Sequence, residues 1–274
     1  MKALSTLRIR DAIDAFLAEL ERRGKTEATL RNYRADLTAL LRSAGLSARA
    51  SILATVAQSH LDGLHLADRS RNRHLSTLRR FCEYLVSRRA LPVNPLRGSA
   101  GVIIAASTER PIAAAQIVGI LGRISRPRDR ALVSLLLGSG LRIGEALALR
   151  VRDIDLKSST LAVRRGMPRR VRLAQSLRRI LASYLHERDP HPSEPLFVTR
   201  NGKSLSYAGA HRLFRVYAGG TGLTLRRLRS SAAISAFDDG ATLPQVQRML
   251  GHRHASSTAR YHIESYKKIE HMRN

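Results

Sequence analysis

Apolar residues in the first ninety positions recur at helical spacing. Ala12, Ile13, Ala15, Phe16, Leu17 and Leu20 form one face of a first helix, which Gly24 ends. Thr26 then precedes Glu27, Ala28 and Leu30 as a helix N-cap should. The helix it opens carries Leu30, Tyr33, Leu37, Leu40 and Leu41 on one side, with Arg31 and Arg34 elsewhere. A third helix is predicted near Val56 to Gly63. A fourth, in SRNRHLSTLRRFCEYLVSRRAL, buries Leu75, Leu78, Phe81, Cys82 and Leu85, with Arg71, Arg73, Arg79 and Arg80 around that face. The two prolines of PVNPL close it.

The pattern then changes. Residues 98–110, GSAGVIIAASTER, are small and weakly patterned and read as a linker. From Pro111 the chain is again helical, except between Val151 and Leu173. There Thr160 to Val163 and Arg170 to Leu173 alternate with period two around Gly166 and Pro168, predicting a hairpin with a basic tip. Helices resume from Gln175, around Ala208 to Tyr217, from Leu228, and from Leu243 to Leu250 with Gly251 as C-cap. The expected fold is mainly α with a small antiparallel sheet (α+β). Residues 1–97 form a small helical domain, 98–110 a linker and 111–274 a larger helical domain that holds the small sheet. No internal repeat, low-complexity tract or zinc-type spacing interrupts it.

Charge narrows the function. The chain has 48 Lys plus Arg against 21 Asp plus Glu, a net +27. Such an excess strains a folded domain by self-repulsion and calls for a polyanionic partner, nucleic acid first and an anionic membrane surface second. Only Lys2, Lys25, Lys157, Lys203, Lys267 and Lys268 are lysines, and every other basic residue is arginine, suited to two-pronged phosphate contacts. A single cysteine, Cys82, rules out a disulfide framework and a thiolate metal site. The early charges of MKALSTLRIRDAIDAF do not suit a signal peptide, and no apolar run is long enough to span a bilayer. The expected location is inside the cell, with no membrane contact.

Three stretches carry candidate chemistry. GSGLRIGEALALRVRDID places Arg142 after Gly140 at the start of a predicted amphipathic helix with Leu141, Leu147 and Leu149 buried. LTLRRLRSSAAISAFDDG sets Arg226, Arg227 and Arg229 before a small-residue helix. LGHRHASSTARYH puts His252 just past a helix cap and Tyr261 nine positions later, 261 − 252. Singly, each has an ordinary reading: first-turn surface arginines, a satisfied polar histidine, a core tyrosine. His252, His254 and His262 also invite a zinc reading, but no carboxylate or cysteine nearby completes a ligand set.

Together the stretches resemble one family, the tyrosine recombinases or phage-type integrases. The matches are Gly140-Leu141-Arg142-Ile143-Gly144-Glu145, Leu228-Arg229, Leu250-Gly251-His252 and Thr258-Ala259-Arg260-Tyr261-His262. ERRGKTEATLRNYRADL and HLSTLRRFCEYLVSRRALPVNPL look like the family's core-binding domain, so the likeness spans nearly the whole chain. Two positions depart from it. Arg226 stands where relatives usually carry histidine, and Arg164-Arg165-Gly166 occupies the turn where they carry lysine. Arginine is a poor proton donor to a departing alkoxide.

The resemblance implies a site-specific recombinase. Tyr261 attacks a DNA phosphodiester to give a 3′-phosphotyrosine and a free 5′ hydroxyl, and strand exchange then serves integration, excision or resolution. Arg142 and Arg229 clamp the phosphate, His252 and Arg226 assist, Arg165 takes the hairpin position, and Glu145 orients Arg142 without moving a proton. Arg31, Arg34, Arg71, Arg73, Arg79, Arg80, Arg164 and Arg227 are expected to touch DNA. No metal or cofactor is implied, since two arginines replace the metal ions of a nuclease. The partner is a double-stranded core site with inverted half-sites, bound by a homotetramer, with accessory proteins unspecified. A chain with no room before residue 8 for an arm-binding domain suits a simple core site. Two alternatives share the scaffold: a catalytically silent DNA-binding protein, and a type IB-like topoisomerase. Tyr266 is the reserve nucleophile. The tail after Tyr261 docks either on a neighbouring protomer or on its own core.

Overall fold

The structure is a computed structural model and describes residues 7–102 and 112–263. Two compact units divide the chain, Met1–Ser107 and Thr108–Asn274. Most of the expected linker, all of the tail beyond Ile263, and Tyr266 lie outside the described residues.

The first unit contains four helices: α1 (Ile9–Arg22), α2 (Glu27–Ala44), α3 (Leu53–Asp62) and α4 (Asp68–Ser87). Thr26 caps α2 as predicted, its side chain accepting from the Thr29 N–H. The apolar faces meet in one core, where Phe16 packs against Phe81 with ring centroids 5.5 Å apart and against Tyr33 edge-on at 5.9 Å. The same core seals Cys82, whose thiol burial pushes up to about 12, so it is no nucleophile.

One polar knot crosses this core. Asp36 of α2 is buried and accepts from Arg73 Nη1 at 2.6 and 2.7 Å, from Thr77 Oγ1 at 2.9 Å, and lies 2.8 Å from His74 Nε2. A buried carboxylate persists only when matched in this way. The guanidinium of Arg73 is therefore committed to Asp36. Arg79 likewise donates Nε to the Leu96 carbonyl at 2.9 Å, and Arg80 donates to Tyr33 Oη at 3.1 Å. The exposed Arg31 and Arg34 pair loosely with Glu27 and Asp14, and Arg71 with Asp62. Such exposed pairs are weak and easily exchanged for phosphates.

The second unit is built around α6 (Pro127–Ser139), buried on nearly every side from Ala131 to Leu136. Around it stand α5 (Ala114–Arg123), α8 (Gln175–Arg188), α9 (Tyr207–Ala218), α10 (Leu225–Asp238) and α11 (Leu243–Leu250). The run Ser230-Ser231-Ala232-Ala233 lets α10 approach closely, and residues 256–263 are again helical. The predicted hairpin is β2 (Thr160–Val163) and β3 (Arg169–Arg172), paired antiparallel with Leu161 opposite Val171. A two-residue strand, β1 (Ile154–Asp155), extends it in the order β1-β2-β3 and is too short to leave a periodic signal.

One expectation fails. The amphipathic helix after Arg142 is only a four-residue turn, α7 (Ile143–Ala146). Beyond it the backbone turns outward to pair with a distant segment: Leu196 N–H donates to the Leu149 carbonyl at 2.8 Å and Val151 N–H to the Glu194 carbonyl at 3.0 Å. Leu141 and Leu149 are buried as expected, while Leu147 is only partly so. No helix among the described residues is long and apolar enough to cross a membrane.

Candidate active site

Two glycines bring the motifs together. Gly140 ends α6 in the left-handed region at φ 61°, and a Cβ there would meet Leu250 Cδ2 at 2.9 Å. This approach sets the end of α6 against the end of α11. Gly251 caps α11 at φ 62°, where a Cβ would meet Arg169 Nη1 at 2.6 Å. Only glycine suits both backbone and space at these points.

Arg229 on α10 reaches into this junction. Its Nη1 donates to the Gly140 carbonyl at 2.7 Å, and its Nη2 donates to the Leu250 carbonyl at 2.8 Å and to His252 Nε2 at 2.9 Å. Burial, reinforced by neighbouring Arg142, lowers the Arg229 guanidinium to about 10, which leaves it charged at neutral pH. The acceptor role of His252 Nε2 fixes the ring: its Nδ1 carries the proton and donates to Thr258 Oγ1 at 2.9 Å. Burial and the arginines around it pull His252 down to about 4. The imidazole is neutral, with both nitrogens engaged, and so is not available as a metal ligand.

Glu145 is the one buried carboxylate of the site. It caps α7 by accepting from the Arg142 N–H at 2.9 Å, and it takes Arg142 Nη1 at 3.0 Å. Arg169 holds it with two prongs, and Arg229 Nη1 lies 3.7 Å away. Burial alone would raise the carboxyl, but the hydrogen bonds from Arg169 and Arg142 and their charges outweigh it and hold Glu145 below the usual carboxylate range. The side chain is anionic and fully committed.

Tyr261 sits beside these groups. Its ring is nearly parallel to that of His252, at 18° with centroids 6.2 Å apart, and its hydroxyl accepts from Arg260 Nη2 at 2.8 Å. Arg142, Arg226, Arg229, His252 and Tyr261 all line one cavity of about 300 Å³, together with Tyr207 and His211 of α9 and with Arg260. Five of the seven residues expected to be catalytic thus converge, and Glu145 braces them from behind. The seventh, Arg165, is on the exposed hairpin tip and does not line the cavity. Arg164 beside it donates Nε to Asp153 at 2.6 Å, and Arg227 is half-buried next to the site. Among the described residues no three potential metal ligands gather.

Residues 112–268 match the phage integrase family, and residues 13–89 match the phage integrase N-terminal SAM-like domain. The chain belongs to the phage integrase family. This recombinase is 31% identical to the tyrosine recombinase XerC of Chromobacterium violaceum, over 92% of this chain and 89% of that one. A XerC of Thermodesulfovibrio yellowstonii is 27% identical over 90% of each. The fold is similar to that of lambda integrase residues 75–356 in a dimer bound to a core site, with TM-score 0.77 and 18% identity over 93% of this chain and 95% of that one. It is also similar to a lambda integrase tetramer bound to a Holliday junction, with TM-score 0.75 and 18% identity over 93% and 80% of the two chains. The recombinase is a site-specific DNA strand transferase, and its +27 charge meets the polyanion it acts on.

The sequence pattern missed Arg169, Tyr207 and His211. A signal for Arg169 was present. Along β3 it alternates in phase with the buried Val171, so it faces inward, and an inward arginine demands a buried acid.

Proposed function

We propose that the cavity around Tyr261 cuts and rejoins DNA through a 3′-phosphotyrosine. The carrying observation is the meeting of Arg142, Arg229, His252 and Tyr261 on one cavity. A phenol is a weak nucleophile until it loses its proton, and its attack leaves phosphorus five-coordinate with extra negative charge on the non-bridging oxygens. Arg142 and Arg229 supply fixed cations for that charge, and Arg229 is already locked in place by two carbonyls. His252, neutral and hydrogen-bonded through both nitrogens, serves as a fixed polar partner of Arg229. Arg260 donates to the Tyr261 oxygen and so helps to hold that oxygen in place.

By the same reading the protein works as a homotetramer on a core site with inverted half-sites. The free 5′ hydroxyl of another strand reverses the attack. Bond energy is kept in the phosphotyrosine, so no nucleotide cofactor is spent. Arg31 and Arg34, exposed and loosely paired, are better placed to exchange onto phosphates than Arg73 and Arg79, which are held by Asp36 and by the Leu96 carbonyl.

The test uses nicked duplexes of randomised sequence. Wild type is expected to form SDS-resistant protein–DNA adducts from which its preferred site is sequenced, while Tyr261→Phe forms none. Adduct formation by Tyr261→Phe would sink the assignment and move it to Tyr266. No adduct with wild type would favour the silent DNA-binding reading, and site-independent relaxation of supercoils the topoisomerase reading.

A further inference from the structure

The departing 5′ oxygen needs a proton, and the groups lining the cavity are few. Arg142, Arg226 and Arg260 are guanidiniums, which are poor general acids, and Arg229 has its terminal nitrogens given to the Gly140 and Leu250 carbonyls and to His252. Tyr261 is the attacking group. His252 has its Nε2 lone pair turned to Arg229 and its only proton given to Thr258. No lysine lines the cavity among the described residues, and Arg165 is elsewhere. The phenol of Tyr207 and one further imidazole remain, and the imidazole is the readier proton donor near neutral pH.

His211 lies on the first turns of α9, one turn after Tyr207, whose ring rests against it with centroids 4.4 Å apart. It is half-buried, and its Nε2 is shielded from solvent with no hydrogen-bond partner among the described residues. A buried polar atom left without a partner destabilises the protein that holds it. At the wall of a substrate cavity, that cost is removed when a substrate oxygen arrives. Imidazole is also the side chain that gains and loses a proton most readily near neutral pH.

We propose that His211 is a further catalytic residue of this cavity: its imidazole protonates the 5′ oxygen that leaves when Tyr261 attacks. The inference rests on the strand-cutting reading above. The Tyr261 oxygen forms its bond to phosphorus as the bond from phosphorus to O5′ breaks. The electron pair of the broken bond stays on O5′, which takes the His211 proton. The phenol proton leaves to solvent, and His211 regains a proton from solvent. The sum is one proton moved from phenol to 5′ hydroxyl. In the rejoining direction the neutral imidazole takes the proton back from the attacking 5′ hydroxyl.

The experiment places sulfur in the leaving position. A nicked duplex carrying the site recovered with wild type is made with a bridging 5′ oxygen or a bridging 5′ sulfur at the scissile phosphate. A thiolate leaves without protonation, so loss of an acid is felt only by the oxygen substrate. His211→Gln and His211→Asn are compared, using whichever unfolds at the wild-type urea midpoint. The expected result is adduct formation slowed about 10²- to 10⁴-fold with oxygen, the usual worth of a general acid, and little changed with sulfur. Equal slowing on both substrates would reveal a packing or positioning role and overturn the proposal, as would an unimpaired rate with oxygen. Wild type failing on both substrates would instead overturn the strand-cutting reading itself.

Discussion

Arg169 grips Glu145 with both terminal nitrogens, Nη2 to Oε2 at 2.9 Å and Nη1 to Oε1 at 3.2 Å, while its Nε donates to the Met249 carbonyl at 2.9 Å. One side chain from β3 thus ties the carboxylate that holds Arg142 to the end of the helix that presents His252. Both partners are buried, so removing Glu145 leaves the Arg169 charge unmatched inside, and removing Arg169 takes from Glu145 its two-pronged partner. Arg169→Met and Glu145→Ala are each expected to cost about 3–5 kcal/mol of stability, read as a lower urea midpoint. Milder changes separate positioning from folding. Arg169→Lys keeps the charge but loses the two-pronged grip, and it is expected to slow adduct formation more than it weakens DNA binding.

Gly251→Ala attacks the same junction from the other side. The new methyl meets Arg169 Nη1 at 2.6 Å, and alanine must adopt φ 62°. The left-handed backbone alone costs about 1–2 kcal/mol, so the variant should unfold earlier than wild type by at least that much. Displacement of Arg169 should also lower the adduct rate. A variant with unchanged stability would show that the cap relaxes freely.

Thr258 accepts the one proton of His252 at 2.9 Å. Thr258→Val leaves that buried N–H unsatisfied, at a cost of about 1–3 kcal/mol, and frees the ring to turn. Thr258→Ser is expected to restore most of the loss in both adduct rate and stability. Failure of serine to rescue would assign the effect to the packing of the threonine methyl.

The depressed His252 predicts acid sensitivity. Unfolded, the ring titrates near 6.5; folded, it is held down to about 4. Between these values the unfolded chain binds the extra proton, so stability rises with pH across this window. The contribution is complete above about 6.5 and is lost progressively as pH falls toward 4. Urea midpoints measured from pH 7 to pH 4 should show this fall, and it should be smaller in His252→Gln. An identical slope in the variant would place the acid sensitivity elsewhere.

The residues legible in the sequence were those whose role is local. Thr26, Gly251 and the alternation of β2 act through their immediate neighbours, and they are found where their spacing puts them. The short α7 was not legible, because Leu149 and Val151 pair with a segment more than forty positions on, and no local pattern records that partner. Arg165 was weighed because its turn matches that of relatives, yet on the exposed tip it is separated from the cavity. Arg169, four residues further, is the arginine that enters the site, because β3 turns it inward. His211 carried no motif, and only the packing of α9 brings it to the cavity.

Tyr261 is 8% exposed and belongs to a small apolar cluster with Ile234, Phe237, Val246 and Leu250. Its ring and its oxygen therefore answer to different demands. In the proposed reaction the oxygen serves the phosphate chemistry, while the ring fills space between α10, α11 and residues 256–263. Any movement of that oxygen toward DNA withdraws the ring from the cluster and leaves a gap where it was. If Tyr261 delivers the cut as proposed, its segment is also a wedge in the protein's own framework, and cutting and loosening become a single motion.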